Sequence, residues 1–394
     1  MWPSRIVGCS AALLLLLSVN LAVAENDDPD VPAFARAAMA DKGAYLRARA
    51  DEVALRRGIS KDEPFDISRR VRALQQLDAD ERARSAELSA YRWTSVGPEP
   101  IPNGQTTAVT TAVSGRTISI AVHPTDPNKV YAGTANGGLY RSLDGGASWK
   151  ALMDSAQSLA IGAVTLDPAN PTTVWVGTGE GNSSSDSFAG VGIYRILNAE
   201  SASPTIEGPF GGAGGRVAGC GTTASTGIAF LGTAITRIVF DPNNANRMFV
   251  SNDTGVAGIG VGVPAGGSNG FIGLWLSDNA NAATPTFARC GALGGGNFTI
   301  QDLVFEPGSS SNLLAYVIDR SGVGTAHGVH RITNANLATN TPNVGLTATN
   351  TLNLTAVNGE LAINKVGSVV TVVVAHGGGP SSFGRVQVSV DGGV

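Results

Sequence analysis

Carboxylates are the chemistry this chain could offer, and they lie in stretches rich in Gly, Ser, Thr and Asn. The polar side chains with reach there are Asn136, Glu180, Asn182, Asp186, Asp253, Asp319, Arg320, His327 and His376. Glu180 and Asp186 have the oxygen donors to coordinate Ca²⁺ or to hydrogen-bond sugar hydroxyls, or they bond the backbone of their own loop. A glycosidase would need two such carboxylates flanking the scissile bond. Transition-metal chemistry is not suggested: the four histidines, at 123, 327, 330 and 376, show no H-x-x-x-H spacing, and no cysteine has a second ligand at zinc-site spacing. No metal site or cofactor is therefore expected, Ca²⁺ being the one cation those loops could take. Residues 208–221 (GPFGGAGGRVAGCG) are glycine-rich without a helix to follow, which argues against a phosphate loop.

The elements that position these loops repeat. An alternating apolar run ending in Asp-Pro or its like is followed by a short strand, then by a Gly and an aromatic strand. The copies begin TISIAVHP at 117, IGAVTLDP at 161, ITRIVFDP at 235, IQDLVFEP at 300 and, more weakly, ELAINKVG at 360. Period-2 alternation with turn residues at the joints predicts strands, and a basic unit of about 40 to 45 residues with insertions fits a four-stranded propeller blade. With strands ordered outward from the axis, the second-to-third-strand loops open on one face: 135–137, 179–191, 252–270, 319–327 and 376–383. Variable loops on a rigid scaffold are where binding is expected.

One turn is diagnostic. Ser142-Leu143-Asp144-Gly145-Gly146-Ala147-Ser148-Trp149 resembles the Asp-box, S-x-D-x-G-x-[ST]-W, of the bacterial neuraminidase repeat propellers. Asp144 can accept bonds from the turn's N–H groups, the glycines supply positive φ, and Trp149 reads as an apolar plug beneath a hairpin between the third and fourth strands. Degenerate copies stand at Ile196-Leu197-Asn198 and Ser277-Asp278-Asn279. Ser389-Val390-Asp391-Gly392-Gly393-Val394 begins another Asp-box and stops inside it, which suggests a truncated chain. With Trp93-Thr94-Ser95-Val96-Gly97-Pro98, Gly115-Arg116, Gly133-Thr134 and Gly177-Thr178-Gly179-Glu180-Gly181-Asn182, residues 93–394 look like the secreted Asp-box propellers related to sortilin-like ectodomains, xyloglucanases and the photosystem II stability factor. The resemblance implies an all-β propeller of about seven blades, of which four to five are present.

It does not settle catalysis, because one propeller hosts hydrolases and binding modules alike. Sialidases of this architecture use three arginines, a tyrosine nucleophile assisted by Glu, and an acid/base Asp. Here Arg141, Arg195 and Arg331 share one repeat position and read as periodic strand residues, leaving Arg116, Arg216, Arg237 and Arg320 as loose candidates. Xyloglucanase-type propellers place a catalytic Asp in an R-T-D-x-G-G-x-Y-R segment; the matching stretch, 133–141, has Ala135 there. The catalytic residues are thus unassigned, and the reading leans to a non-catalytic binding or scaffold module for a protein or glycan, with a sialidase-like or xyloglucanase-like glycoside hydrolase as the alternative.

Composition agrees with that architecture. The chain has 394 residues, 51 of them Gly, only 15% charged and a formal net charge of −4, so there is no basic excess for nucleic acid. Charge is concentrated at 25–92, a helical lead-in or prosegment with breaks expected near Gly58 and Pro64. Arg5, the apolar run 11–19 and Ala22-Val23-Ala24 form a signal peptide, 1–24, which implies cleavage near Ala24 and a secreted or periplasmic protein. No later run is long enough to span a membrane, and a monomer is expected. Cys220 and Cys290 then remain as an even pair, a disulfide candidate in an oxidising compartment.

Overall fold

The computed structural model describes residues 51–52, 55, 68–84, 115–181, 187–211, 230–254, 272–290, 298–319, 327–337, 347–354, 358–377 and 384–391. They belong to a compact unit made of Ala50–Tyr91 and Gly115–Val394. Its strands form five antiparallel meanders. The first blade contains β1 (Thr117–His123), β2 (Asp126–Thr134), β3 (Leu139–Ser142) and β4 (Lys150–Ala151). The second contains β5 (Ile161–Leu166), β6 (Val174–Thr178), β7 (Ile193–Leu197) and β8 (Thr205–Phe210). The third is β9 (Thr233–Asp241), β10 (Asn244–Thr254), β11 (Gly273–Ser277) and β12 (Ala288–Cys290). The fourth is β13 (Phe298–Phe305), β14 (Leu313–Asp319), β15 (Gly328–Thr333) and β16 (Thr347–Asn353). The fifth has β17 (Asn358–Val366), β18 (Val369–Gly377) and β19 (Arg385–Ser389). First strands neighbour first strands in chain order, β1 to β5 to β9 to β13 to β17. This is a five-bladed β-propeller array, all-β as expected.

The central stretches of the second strands are apolar at successive positions because each faces two seams. Side chains alternate across a sheet. Val174 and Val176 of β6 therefore join the core between the first and second blades, and Trp175 joins the core between the second and third. In β14, Leu313, Ala315 and Val317 pack toward the third blade while Leu314, Tyr316 and Ile318 pack toward the fifth. Each seam thus has its own core. Close approach is set by Gly133 and Gly177: a Cβ there would lie 2.5 Å from Ile161 Cγ2 and 2.3 Å from Ile235 Cγ2, side chains of the next blade's first strand.

Blades are also joined by side chains that reach the next blade's backbone. Ser119 Oγ accepts Val164 N–H at 3.0 Å, Thr236 Oγ1 donates to Ile300 O at 2.5 Å, and Asp302 Oδ2 accepts Leu361 N–H at 2.6 Å. A register shift recurs near the start of these first strands, between Thr117 and Ser119, Ile161 and Ala163, and Ile300 and Asp302; in the third blade it falls opposite Ser251 and Asn252. Further out, Arg141 Nη1 donates to Ala199 O at 2.6 Å and Ser201 O at 2.7 Å, and Arg195 Nη1 donates to Ala280 O at 2.9 Å and Ala282 O at 3.0 Å. Both are turn carbonyls of the following blade. Leu276 occupies this position in the third blade, and Arg247 of β10 instead reaches Asn336 O of the fourth at 2.9 Å while pairing with Asp241 at 3.1 Å.

The turns close locally. Asp167 Oδ1 accepts Ala169 N–H at 2.9 Å and Asp241 Oδ1 accepts Asn243 N–H at 2.9 Å, so the Asp of Asp-Pro fastens the first hairpin. Between β3 and β4, Asp144 accepts Ser142 Oγ–H at 2.7 Å, Ser148 N–H at 2.8 Å and Ser148 Oγ–H at 2.6 Å. The Ser148 hydroxyl, then the Ser148 amide and the Ser142 hydroxyl, hold the Asp144 carboxyl down at about 2. Asn279 repeats the arrangement in the third blade, accepting Ser277 Oγ–H at 3.1 Å and Thr286 N–H at 2.9 Å. In the fifth, Ser389 Oγ donates to Asp391. Trp149 corrects the expectation of a buried plug. It is 46% exposed, because β4 spans only two residues and its indole lies along Gly146 at the turn.

Helix α1 (Ser68–Ala83) carries Arg, Gln, Asp and Glu around most of its surface. Val71 packs against the core of the first seam, whereas Leu77 is 50% exposed.

The arginines at the shared repeat position differ in what they hold. Arg195 also pairs with Glu207 at 2.6 Å and stacks over Trp175 at 5.2 Å, whereas Arg331 pairs at 2.8 Å with Glu306 of its own blade. Arg195→Ala is expected to lower stability in urea denaturation by about 3 kcal/mol, since it strands buried carbonyls and removes a cation–π contact. Arg331→Ala is expected to cost about 1 kcal/mol or less.

Candidate functional site

The loops that follow the second strands share one end of the blades, opposite the turn at Ser142–Trp149. They begin from similar anchors. Thr134 Oγ1 donates to Gly138 O at 3.0 Å and accepts Gly137 N–H at 2.9 Å. Thr178 Oγ1 donates to Gly192 O at 2.6 Å and accepts Val191 N–H at 2.9 Å. Asn252 Oδ1 takes Gly273 N–H at 2.8 Å and Trp275 Nε1–H at 3.2 Å. A hydroxyl or amide at the strand end replaces ladder bonds that the loop would otherwise lose, so the loops leave a fixed frame.

Of the residues singled out above, Asn136 is exposed at the tip of the first loop. Glu180 is buried, 1% exposed, and ion-paired with Arg116, the residue just before β1; its N–H donates to Phe188 O at 2.8 Å. Glu180 thereby ties the second blade to the first. Asp253 is buried at the end of β10 and accepts Gln301 Nε2–H from β13 at 2.5 Å, tying the third blade to the fourth. Asp319 closes β14 opposite Phe298, and its side chain lies outside the described residues. Asn182, Asp186 and Arg320 also lie outside them, so the pairing of Glu180 with Asp186 around Ca²⁺ or sugar stays an expectation. Among the described residues, no cluster of three or more His, Cys, Asp or Glu could hold a metal ion, and no helix is long and apolar enough to cross a membrane. Cys290, at the end of β12, is disulfide-bonded; Cys220 lies outside the described residues.

A second polar group was not assembled from sequence, although Arg237 stood among the loose arginine candidates. Arg237 of β9 pairs with Asp302 of β13 at 2.6 Å and with Glu360 of β17, so three first strands meet through one guanidinium. Asp302 is 2% exposed and also accepts Leu303 N–H at 2.8 Å and Leu361 N–H at 2.6 Å. Glu360 lies outermost, its side chain 63% exposed. The available signal was a polar residue inside each apolar first strand: Arg237 in ITRIVFDP, Asp302 in IQDLVFEP, Glu360 in ELAINKVG. The three arginines at one repeat position stay apart from this group. Arg141 and Arg195 are spent on turn carbonyls and Arg331 on Glu306, as periodic strand residues would be.

No protein-family profile matches the chain, and no curated protein matches it by sequence. Solved structures do. An ancestral GH74 enzyme is 16% identical over 70% of this chain and 32% of its own, with a TM-score of 0.44. PorZ, a surface component of the Porphyromonas gingivalis type-IX secretion system, is 14% identical over 77% of this chain and 36% of its own, at 0.45. YCF48 bound to D1 peptide is 11% identical over 66% of this chain and 61% of its own, at 0.33. The chain thus spans about a third of the first two. The propeller assignment rests on the strand order of the five sheets, and identities this low carry no activity across.

The Arg237 group separates a buried charge from an exposed one. Asp302→Ala leaves Leu361 N–H without its acceptor and a half-buried guanidinium short of its main partner, at an expected cost of about 3 kcal/mol in chemical denaturation. Glu360→Ala is expected to cost under about 1 kcal/mol.

Proposed function

We propose that this chain is an exported propeller acting as a non-catalytic binding or scaffold module, which offers a protein or glycan the surface made by the loops after its second strands. The observation that carries this reading is where the described acidic side chains at or near that end are committed. Glu180 is paired with Arg116, Asp253 with Gln301, and Asp302 with Arg237 and a backbone N–H. Each joins one blade to another, and a carboxylate already occupied by an ion pair or by hydrogen bonds across a seam is poorly placed to hand protons to a leaving group. Export is supported by the Arg5, 11–19 and Ala22-Val23-Ala24 pattern and by Cys290 being in a disulfide, which fits an oxidising compartment. Membership of the Asp-box propellers is supported by the Asp144 turn and its Asn279 counterpart.

The test is to screen the purified protein on a glycan array and against envelope extract, then incubate it with each retained glycan. The expected outcome is a ligand recovered intact, its affinity lowered at least about tenfold by Asn136→Ala together with replacement of loop 182–186 by glycines, with an unchanged melting temperature. Release of reducing sugar that Glu180→Gln abolishes in a still-folded protein would establish the glycoside hydrolase instead.

A further inference from the structure

Four polar atoms in the seam between the first two blades are buried without a partner: Tyr131 Oη, Arg141 Nε, Glu200 Oε1 and Ser201 Oγ. The topology brings them to one place. Tyr131 and Arg141 are cross-strand partners on β2 and β3. Arg141 Nη1 reaches the carbonyls of Ala199 and Ser201, on either side of Glu200, in the turn of the second blade. Glu200 Oε2 takes Lys129 Nζ at 2.7 Å, which leaves Oε1 toward the interior. His123 Nε2 stands 3.7 Å from that oxygen, beyond hydrogen-bond length. Its Nδ1 accepts Thr125 N–H at 3.3 Å, so the neutral ring carries its proton on Nε2, facing Glu200.

We infer that this seam holds a resident water molecule, bridging Tyr131 and Arg141 of the first blade to Glu200 and Ser201 of the second. The four atoms match what a water offers. Tyr131 O–H and Arg141 Nε–H are donors for its two lone pairs; Glu200 Oε1 and Ser201 Oγ are acceptors for its two hydrogens. Other ligand classes fit poorly. A cation would sit against the Arg141 guanidinium and the Lys129 ammonium, and an anion against the Glu200 carboxylate. The charge of Glu200 is felt at Tyr131, whose hydroxyl is pushed up to about 12, first by burial and then by that carboxylate, with Arg141 opposing.

The next seam gives its guanidinium Nε a protein acceptor, although Trp175 Nε1 there is also buried without a partner. There Trp175 replaces Tyr131, and Asn281 and Ala282 stand where Glu200 and Ser201 do. The cross-strand partner of Arg195 is Glu207, whose carboxylate accepts Arg195 Nε–H at 2.7 Å. The cross-strand partner of Arg141 is Lys150, a cation that donates to Ala202 O at 2.6 Å and has no acceptor to give. The first blade has therefore lost the protein acceptor for its guanidinium Nε and gained hydroxyls and a carboxylate oxygen around it.

A high-resolution crystal structure of the full chain decides the matter. The expected result is one ordered water within about 3 Å of at least three of the four atoms. A direct bond from Tyr131 hydroxyl to Glu200 with no water between them overturns the inference. A double-mutant cycle in solution reads the same site: Tyr131→Phe and Ser201→Ala should each lower the melting temperature, and the double variant should melt no lower than the worse single. Additive losses would mean that the two hydroxyls share nothing.

Discussion

In an antiparallel meander the first strand is an edge, and its alternate N–H and C=O groups point away from the sheet with no ladder to join. The outer turns leave a second set of carbonyls in the same position. A buried backbone group without a partner costs about 1 to 3 kcal/mol, so a stack of blades must find partners for both sets. Here the preceding blade supplies them from its side chains: Ser119 to Val164 N–H, Thr236 to Ile300 O and Asp302 to Leu361 N–H at the inner edge, with Arg141, Arg195 and Arg247 on turn carbonyls further out. The apolar seams supply most of the area, but they are tolerant of sliding. Bonds from a named side chain to a named backbone group fix the register of each blade on the next.

That demand explains why polar residues interrupt strands otherwise made of Ile, Val, Leu and Phe. It also bears on chemistry. In an unfamiliar propeller, buried Arg, Asp and Glu invite a catalytic reading. Glu180, Asp253, Asp302, Arg141 and Arg195 each hold a partner in another blade, so structural occupation explains their burial. The loops that stand on Thr134, Thr178 and Asn252 carry two of these residues, Glu180 and Asp253, close to their anchors, so blade-joining contacts reach into the ends of the loops themselves.

Much of the fold was legible because repetition multiplies a weak signal. A single alternating octapeptide is ambiguous, but five copies with Asp-Pro or a similar turn at the same offset allow only a blade-like unit. The Asp144 turn was legible residue by residue, since an Asp two residues after Ser and four before another Ser can close a turn using its own neighbours. Trp149 was misread because its burial depends on what covers the hairpin, which no local pattern states. The Arg237, Asp302 and Glu360 group was missed for a related reason. Its members are 65 and 58 residues apart in sequence, and only the side-by-side succession of first strands brings them together. Glu180 was noticed for its acidity, yet its partner Arg116 lies in a different blade, so its role could not be read from its own loop.

Backbone amide exchange at Val164 tests the dependence of one blade on the blade before it. In the parent protein Val164 N–H should be among the protected amides of β5, and Ser119→Ala should speed its exchange by about tenfold or more while Val174 and Val176 of β6 keep their rates. Unchanged exchange at Val164 after loss of the Ser119 hydroxyl would contradict the claim that the preceding blade completes the edge.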